Sequence, residues 1–301
     1  MLQTPVLFII FNRPETTKRV FSAIRNARPT QLFIAADGPR PGKEEQQKCN
    51  ETRKIVSLVD WECAVHTLFR DHNLGCGKSL SEAITWFFRH VEQGIILEDD
   101  CLPEPEFFPF CSQLLDKYQY VDKIMEVSGL NMLGKTRTEA SYLFSTYDGT
   151  WGWATWRRAW EKYDYTMSRW QNVTDKRKVS LFFGNANLNN YWMSIFDKTF
   201  HKQIDTWDYQ WLFARIVNDG IGIIPKMNMI SNIGFGSNAT HTFNKNDFGS
   251  SLKTYKMNFP LIHPQTIAVS QSFDKKFGAT VFYKTPSIYR RIIQKIKAVF
   301  N

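Results

Sequence analysis

Gly94-Ile95-Ile96-Leu97-Glu98-Asp99-Asp100 is an apolar run that stops on three consecutive carboxylates. The apolar part reads as a short buried strand. Three acids at one sheet edge concentrate negative charge that must be solvated, paired or bound to a cation. In an open α/β sheet ligands sit at the C-terminal strand edge, so this stretch bears on fold class and on function together.

Working outward, the first 128 residues alternate strand and helix signals. Residues 6–11 form an apolar strand, and Pro14 then opens a helix with Val20, Phe21 and Ile24 as its apolar stripe. A second strand at 31–36 ends on the turn signal Asp37-Gly38-Pro39. A polar helix over 43–59, a strand at 64–69 and a helix over 78–91 lead into the strand that carries the acids. This rhythm predicts an α/β fold, a mostly parallel central sheet with helices on both faces.

Beyond Gly129 the rhythm breaks. Eight of the ten tryptophans fall between residues 147 and 211, where regular strands are hard to see. Buried aromatics dominate cores, whereas exposed indoles make floors for sugar rings, and both uses are expected among these eight. Residues 231–251 read as a long loop rich in Gly, Asn, Ser and Thr. Residues 285–301 read as a basic amphipathic helix, either packed on the domain or docked on an anionic membrane face. The expected division is a nucleotide-binding half at 1–128, an acceptor-side half of the same domain at 129–270, and a tail at 271–301.

Composition narrows the function classes. The 301 residues are 43% hydrophobic, enough for a full core, and no run of about 18 or more apolar residues suits a membrane span. Five scattered cysteines without C-x-x-C spacing indicate neither a disulfide framework nor a zinc knuckle, and a cytoplasmic protein is expected. The formal charge of +9 favours an anionic partner. Without an RRM, OB or helix-turn-helix signature, nucleic acid is not the expected one. Gly75-Cys76-Gly77-Lys78-Ser79 imitates the end of a P-loop but lacks the first glycine at the required distance.

The run at residues 5–14, then Ala36-Asp37-Gly38, then Leu97-Glu98-Asp99-Asp100 with Glu106-Phe107-Phe108 after it, resembles the GT-A glycosyltransferases. Within these it is most similar to the N-acetylglucosaminyltransferase I type. The likeness covers the first 130 residues well and the rest patchily. It implies a Rossmann-like GT-A fold, a nucleotide-sugar donor such as a UDP-sugar, and Mn2+ or Mg2+ as cofactor. Asp100 would bind the metal, Asp99 the donor, and Glu98 would be an orienting acid on the donor side. Asn12 and Arg13 would lie near the nucleotide, Asp37 would accept the uracil imide N–H, and Lys78 would approach the diphosphate or sugar. Gly152 and Trp153, in Gly149-Thr150-Trp151-Gly152-Trp153-Ala154, would sit beside the donor sugar and the acceptor.

An inverting transfer needs a base for the acceptor hydroxyl. Trp207-Asp208-Tyr209-Gln210-Trp211 resembles the Trp-Asp-Asp-Trp segment that holds the family's catalytic Asp, although this chain has one acid where the family has two. Asp208 is the expected base and Asp205 the reserve. His241 would complete the metal shell. The expected acceptor is a glycan or lipid-linked saccharide, and the alternative reading of the tail adds peripheral association on an anionic inner membrane face. The alternative is a nucleotidyltransferase acting on sugar phosphates. That class usually carries a glycine-rich loop after strand one, where this chain has Asn12-Arg13-Pro14.

Overall fold

A computed structural model describes residues 1–147, 149–234 and 252–283. The elements run β1 (Val6–Ile10), α1 (Pro14–Ala27), β2 (Gln31–Ala36), α2 (Gln46–Arg53), β3 (Ala64–Phe69), α3 (Cys76–His90), β4 (Gln93–Glu98), β5 (Cys101–Pro103), α4 (Phe107–Tyr118) and β6 (Ile124–Ser128). They continue with β7 (Tyr142–Ser145), β8 (Trp153–Trp156), α5 (Arg157–Trp160), α6 (Val173–Phe182), α7 (Ala186–Phe200), α8 (Asp208–Val217), β9 (Ile221–Pro225), β10 (Ile230–Asn232) and α9 (Gln271–Phe277).

One eight-stranded sheet, in the order β3-β2-β1-β4-β8-β6-β9-β7, spans the chain. Strands β8 and β7 run against their neighbours, and the others share one direction, so the sheet is mixed but mostly parallel. A small antiparallel sheet pairs β10 with β5.

The apolar strands are unbroken because both sheet faces are covered. Phe8, Ile34, Ile95 and Leu97 enter one core with Phe21 and Ile24 of α1 and Phe110 and Leu114 of α4. Leu7, Phe33 and Ile96 enter the other with Ile84 and Phe87 of α3 and Trp211 of α8. The period of two along a strand thus assigns alternate residues to opposite helix layers.

The tryptophan-rich stretch resolves into two structures. Its first part becomes β8, inserted antiparallel between β4 and β6, with Trp153 facing one core and Trp156 the other. Its second part packs α6, α7 and α8 around Trp170, Trp192, Phe196 and Phe213. Trp153, Trp156, Trp160, Trp170, Trp192, Trp207 and Trp211 are buried and Trp151 is half-buried, so core packing claims most of the cluster.

Two helix boundaries differ from the sequence reading. The helix expected at 43–59 is α2 followed by a 3-10 segment, Lys54–Leu58. Helix α3 begins at Cys76, two residues early, because a distant carboxylate caps it. Near the end of the described chain, Asp274 of α9 accepts bonds from Ser145 Oγ and Thr146 Oγ1, both at 2.6 Å, and from Thr146 N at 3.1 Å. Among the described residues no helix is long and apolar enough to cross a membrane. His241, most of the 231–251 loop and the basic tail from 285 lie outside the described residues.

Candidate active site

Strand β4 lies beside β1, with Ile9 opposite Glu98. Because Ile96 faces the core under α3 and α8, the alternation sends Glu98 to that same face. Asp99 and Asp100 form the turn that follows. Asp99 Oδ2 accepts the Phe11 backbone N–H at 3.1 Å, and its Oδ1 accepts Arg13 Nη1 at 3.3 Å. The same Nη1 donates to Asp100 Oδ2 at 2.7 Å. Arg13 therefore bridges the two aspartates from the end of β1, with side-chain exposures of 16% for Arg13, 8% for Asp99 and 17% for Asp100.

One guanidinium serves three carboxylates, and the titration behaviour reflects it. Burial, then Asp100, Asp99 and Asp208, pushes Glu98 well above the usual carboxylate range. Burial pushes Asp99 up to about 7, although Arg13 opposes it. Burial alone would lower Arg13, but Asp99 and Asp100 more than offset that and raise it.

Asp208 opens α8, more than a hundred residues further along the chain, and acts on this cluster through its charge. Its carboxylate raises Glu98 electrostatically, and its Oδ1 accepts the Thr206 hydroxyl and, at 3.1 Å, the Tyr209 N–H. The Cys76 thiol is pushed up by burial and then by Glu98, Asp208, Asp205 and Asp100, so α3 begins against the same group of acids.

The reserve acid Asp205 has a different task. Its two oxygens accept the backbone N–H groups of Cys76 and Gly77, each at 2.9 Å, capping α3 from across the fold. The glycines of the false P-loop follow from that contact. A Cβ on Gly75 would stand 2.7 Å from Asp205 Oδ2, and one on Gly77 2.5 Å from the Thr206 carbonyl oxygen. These N–H groups are occupied by protein rather than phosphate. Lys78 pairs along its own helix with Glu82 at 3.8 Å and is 53% exposed, which sets it on the surface of α3.

On the outer side of β1, Asn12 Nδ2 donates to Glu45 Oε1 at 3.0 Å, and Arg40 closes on the same carboxylate through Nε and its backbone N–H. The Arg40 guanidinium lies 5.5 Å from the centre of the Phe11 ring. Asp37 is buried at the end of β2, and its carboxylate accepts Leu74 N and Gly38 N at 3.1 and 3.0 Å. Burial raises its pKa despite these bonds. Asp37 thus stitches two loops at the sheet edge.

Gly152 has φ +62° and lies against the acid strand, where a Cβ would come within 2.5 Å of Ile230 Cδ1 and 3.3 Å of Leu97 Cδ2. Trp153 does not join it at an open face. Only 1% exposed, it packs among Trp160, Trp207 and Trp211 at ring separations of 5.6–6.2 Å. The alternation along β8 turns it inward, which corrects its expected place beside the acceptor.

The donor set suits a hard divalent cation: carboxylate oxygens in excess over one guanidinium, with Asp100 at the rim. A cradle covers Asp100 as well, since a Cβ on Gly234 would stand 2.2 Å from Asp100 Oδ2. Among the described residues no three His, Cys, Asp or Glu side chains form a complete metal site. Of the two aspartates on Arg13, Asp100 is the more exposed, at 17% against 8% for Asp99. A separate cleft of about 870 Å³ between α1 and α2, lined by Lys18, Gln47, Asn50 and Leu58 among others, includes none of the β4-end acids.

Sequence reading gave no role to Glu126 and Arg215, which are buried and lie 3.7 Å apart, Glu126 also accepting the Trp211 indole N–H. Glu126, a lone charge in the otherwise apolar-lined Ile124-Met125-Glu126-Val127, was the available signal. Its partner could not be named before the fold.

No family model and no curated protein matches the chain. Among solved structures it is similar to a mannosyltransferase from Pyrobaculum calidifontis in complex with GDP-Man and Mn2+, at 12% identity and TM-score 0.36, over 53% of this chain and 46% of that one. It is also similar to mouse xyloside xylosyltransferase 1, apo form, at 10% identity and TM-score 0.33, over 71% and 81%. A third is the inositol-1-phosphate CTP transferase from T. maritima, at 8% identity and TM-score 0.33, over 54% and 74%. The chain thus spans less than half the length of the mannosyltransferase. At these identities and TM-scores the likenesses decide nothing about activity.

Proposed function

We propose that this chain is a GT-A glycosyltransferase of the N-acetylglucosaminyltransferase I type. It would transfer a sugar from a nucleotide-sugar donor, a UDP-sugar, to a hydroxyl of a glycan or lipid-linked saccharide with inversion. The observation that carries the reading is the set of acids gathered on Arg13 at the end of β4, with Asp208 at the start of α8 near enough to act on Glu98 electrostatically. One carboxylate beside an acidic cation site is the arrangement that a metal-dependent displacement requires.

In this reading Arg13 and Asp99 face the donor, and Asp100 holds a divalent cation. Such an ion would offset the charge developing on the departing nucleoside diphosphate. Asp208 receives the proton of the acceptor hydroxyl as that oxygen attacks. Asn12, held by Glu45, and Asp37, held by the loop at Leu74, line the nucleotide side. Gly152, whose positive φ turns the chain against Leu97 of the acid strand, stands on the donor-sugar side.

A thermal-shift panel of UDP, GDP, CDP and dTDP compounds, with and without Mn2+, tests the reading, since a ligand that binds only the folded state raises its melting temperature. A UDP-sugar should stabilise the protein in a Mn2+-dependent way, and absence of any shift across the panel counts against the whole assignment.

A further inference from the structure

Among the described residues, Glu126 and Arg215 are charged side chains with no exposed surface. Glu126, on β6, is fully buried, and each of its oxygens has a separate task. Oε1 accepts the backbone N–H of Gly149 at 3.2 Å, at the head of the turn that ends in Gly152. Oε2 accepts the indole N–H of Trp211 at 2.8 Å and faces Arg215 Nη1 at 3.7 Å. Arg215 is equally buried and donates through Nη2 to the Thr146 carbonyl oxygen at 3.2 Å. Gly222 leaves the space for it, since a Cβ there would stand 3.2 Å from Nη2.

The helix geometry gives this arrangement its meaning. Asp208, Trp211 and Arg215 follow one another at spacings of three and four, so they share one face of α8. Glu126 grips the second and third members of that stripe, and the first is the acid at the site. Its other oxygen grips a turn that rests on Leu97, the residue before Glu98. One carboxylate thereby ties the helix bearing Asp208 to the turn packed on the acid strand.

A buried ion pair is a poor way to add stability, because apolar residues of the same volume usually serve as well, and it is better suited to fixing one register. We infer that Glu126 is a positioning residue: it sets the height and rotation of α8, and so the placement of Asp208 relative to Glu98. The inference rests on the reading of Asp208 as the base.

The test is the double variant Glu126→Gln with Arg215→Met, which removes both charges while keeping volume and one acceptor oxygen. Hydrogen exchange should quicken at least tenfold in the amides of residues 207–211 and stay unchanged in β1 and β4. Calorimetric binding of UDP with Mn2+ should stay within twofold. For the nucleotide sugar that the parent protein turns over, kcat should fall at least tenfold with donor KM unchanged. Unchanged exchange at 207–211, kcat within twofold of the parent, or protection lost across the whole sheet in step with UDP binding would each overturn the inference. Should the double variant not fold, Trp211→Phe removes one donor to Glu126 and faces the same measurements. A parent protein inactive with every nucleotide sugar sinks the transferase reading alone, because the exchange measurement still decides the positioning.

Discussion

Arg13 Nη1 lies 2.7 Å from Asp100 Oδ2, and this contact joins the end of β1 to the turn after β4. Both side chains are largely buried, so removing one partner would leave the other charge uncompensated away from water. Among the described residues it is nonetheless one positive charge for three carboxylates, and that imbalance organises the expectations below.

Arg13→Met should destabilise the protein by about 1.5–3 kcal/mol, the usual worth of hydrogen bonds to charged groups, since Asp99 and Asp100 lose their shared donor. Mn2+ should recover more stability in the variant than in the parent. Urea unfolding with and without Mn2+ measures both, and an unchanged midpoint would refute the neutralising role of Arg13.

The acids also impose a pH dependence. Asp99 titrates at 3.8 when unperturbed and is pushed up to about 7, and Glu98 moves in the same direction. Between those two pH values the folded protein holds protons that the unfolded chain has released, so stability falls as pH rises through the window. A divalent cation binding the ionised cluster opposes this, and its stabilisation should be larger at pH 8 than at pH 5. Thermal unfolding across that range checks the sign, and a cation effect independent of pH would contradict it.

Asp100→Ala and Asp208→Asn should separate the two sides of the reaction. The first should abolish the Mn2+-dependent part of UDP binding. The second should keep that binding in calorimetry but slow transfer by about 10²–10⁴-fold, the usual range for losing a general base. Loss of UDP binding in Asp208→Asn would move that residue to the donor side.

Gly77→Ala tests the capping of α3 without reference to activity. Alanine is a better helix former by about 1 kcal/mol. Its Cβ, however, would stand 2.5 Å from the Thr206 carbonyl oxygen, a backbone atom that no rotamer change can move. Overpacking of this kind costs about 1–3 kcal/mol, so net destabilisation is expected, with faster exchange in the first turn of α3. A stabilised variant would show that the 205–206 segment yields easily.

The amino-terminal half was legible from local signals. The strands at 31–36 and 64–69 match their predicted bounds because apolar runs between turn residues have few other uses. The second half was not, because β8 is four residues long and earns its place by pairing with β4 and β6, partners distant in the chain. Trp153 illustrates the limit: a tryptophan after a glycine suits a sugar platform or a core, and the facing of β8 chose the core.

The candidate site divides in the same way. Glu98, Asp99 and Asp100 are adjacent in the chain, and the sequence by itself determined that an acidic cluster would end a buried strand, since period two and an apolar run leave little freedom there. Which charges answer it depended on the tertiary structure. Arg13 comes from β1, Asp208 from the start of α8, and Asp205 is drawn away to cap α3. Those choices rest on contacts between residues far apart in the chain, where distance and burial, not spacing, decide which charge meets which.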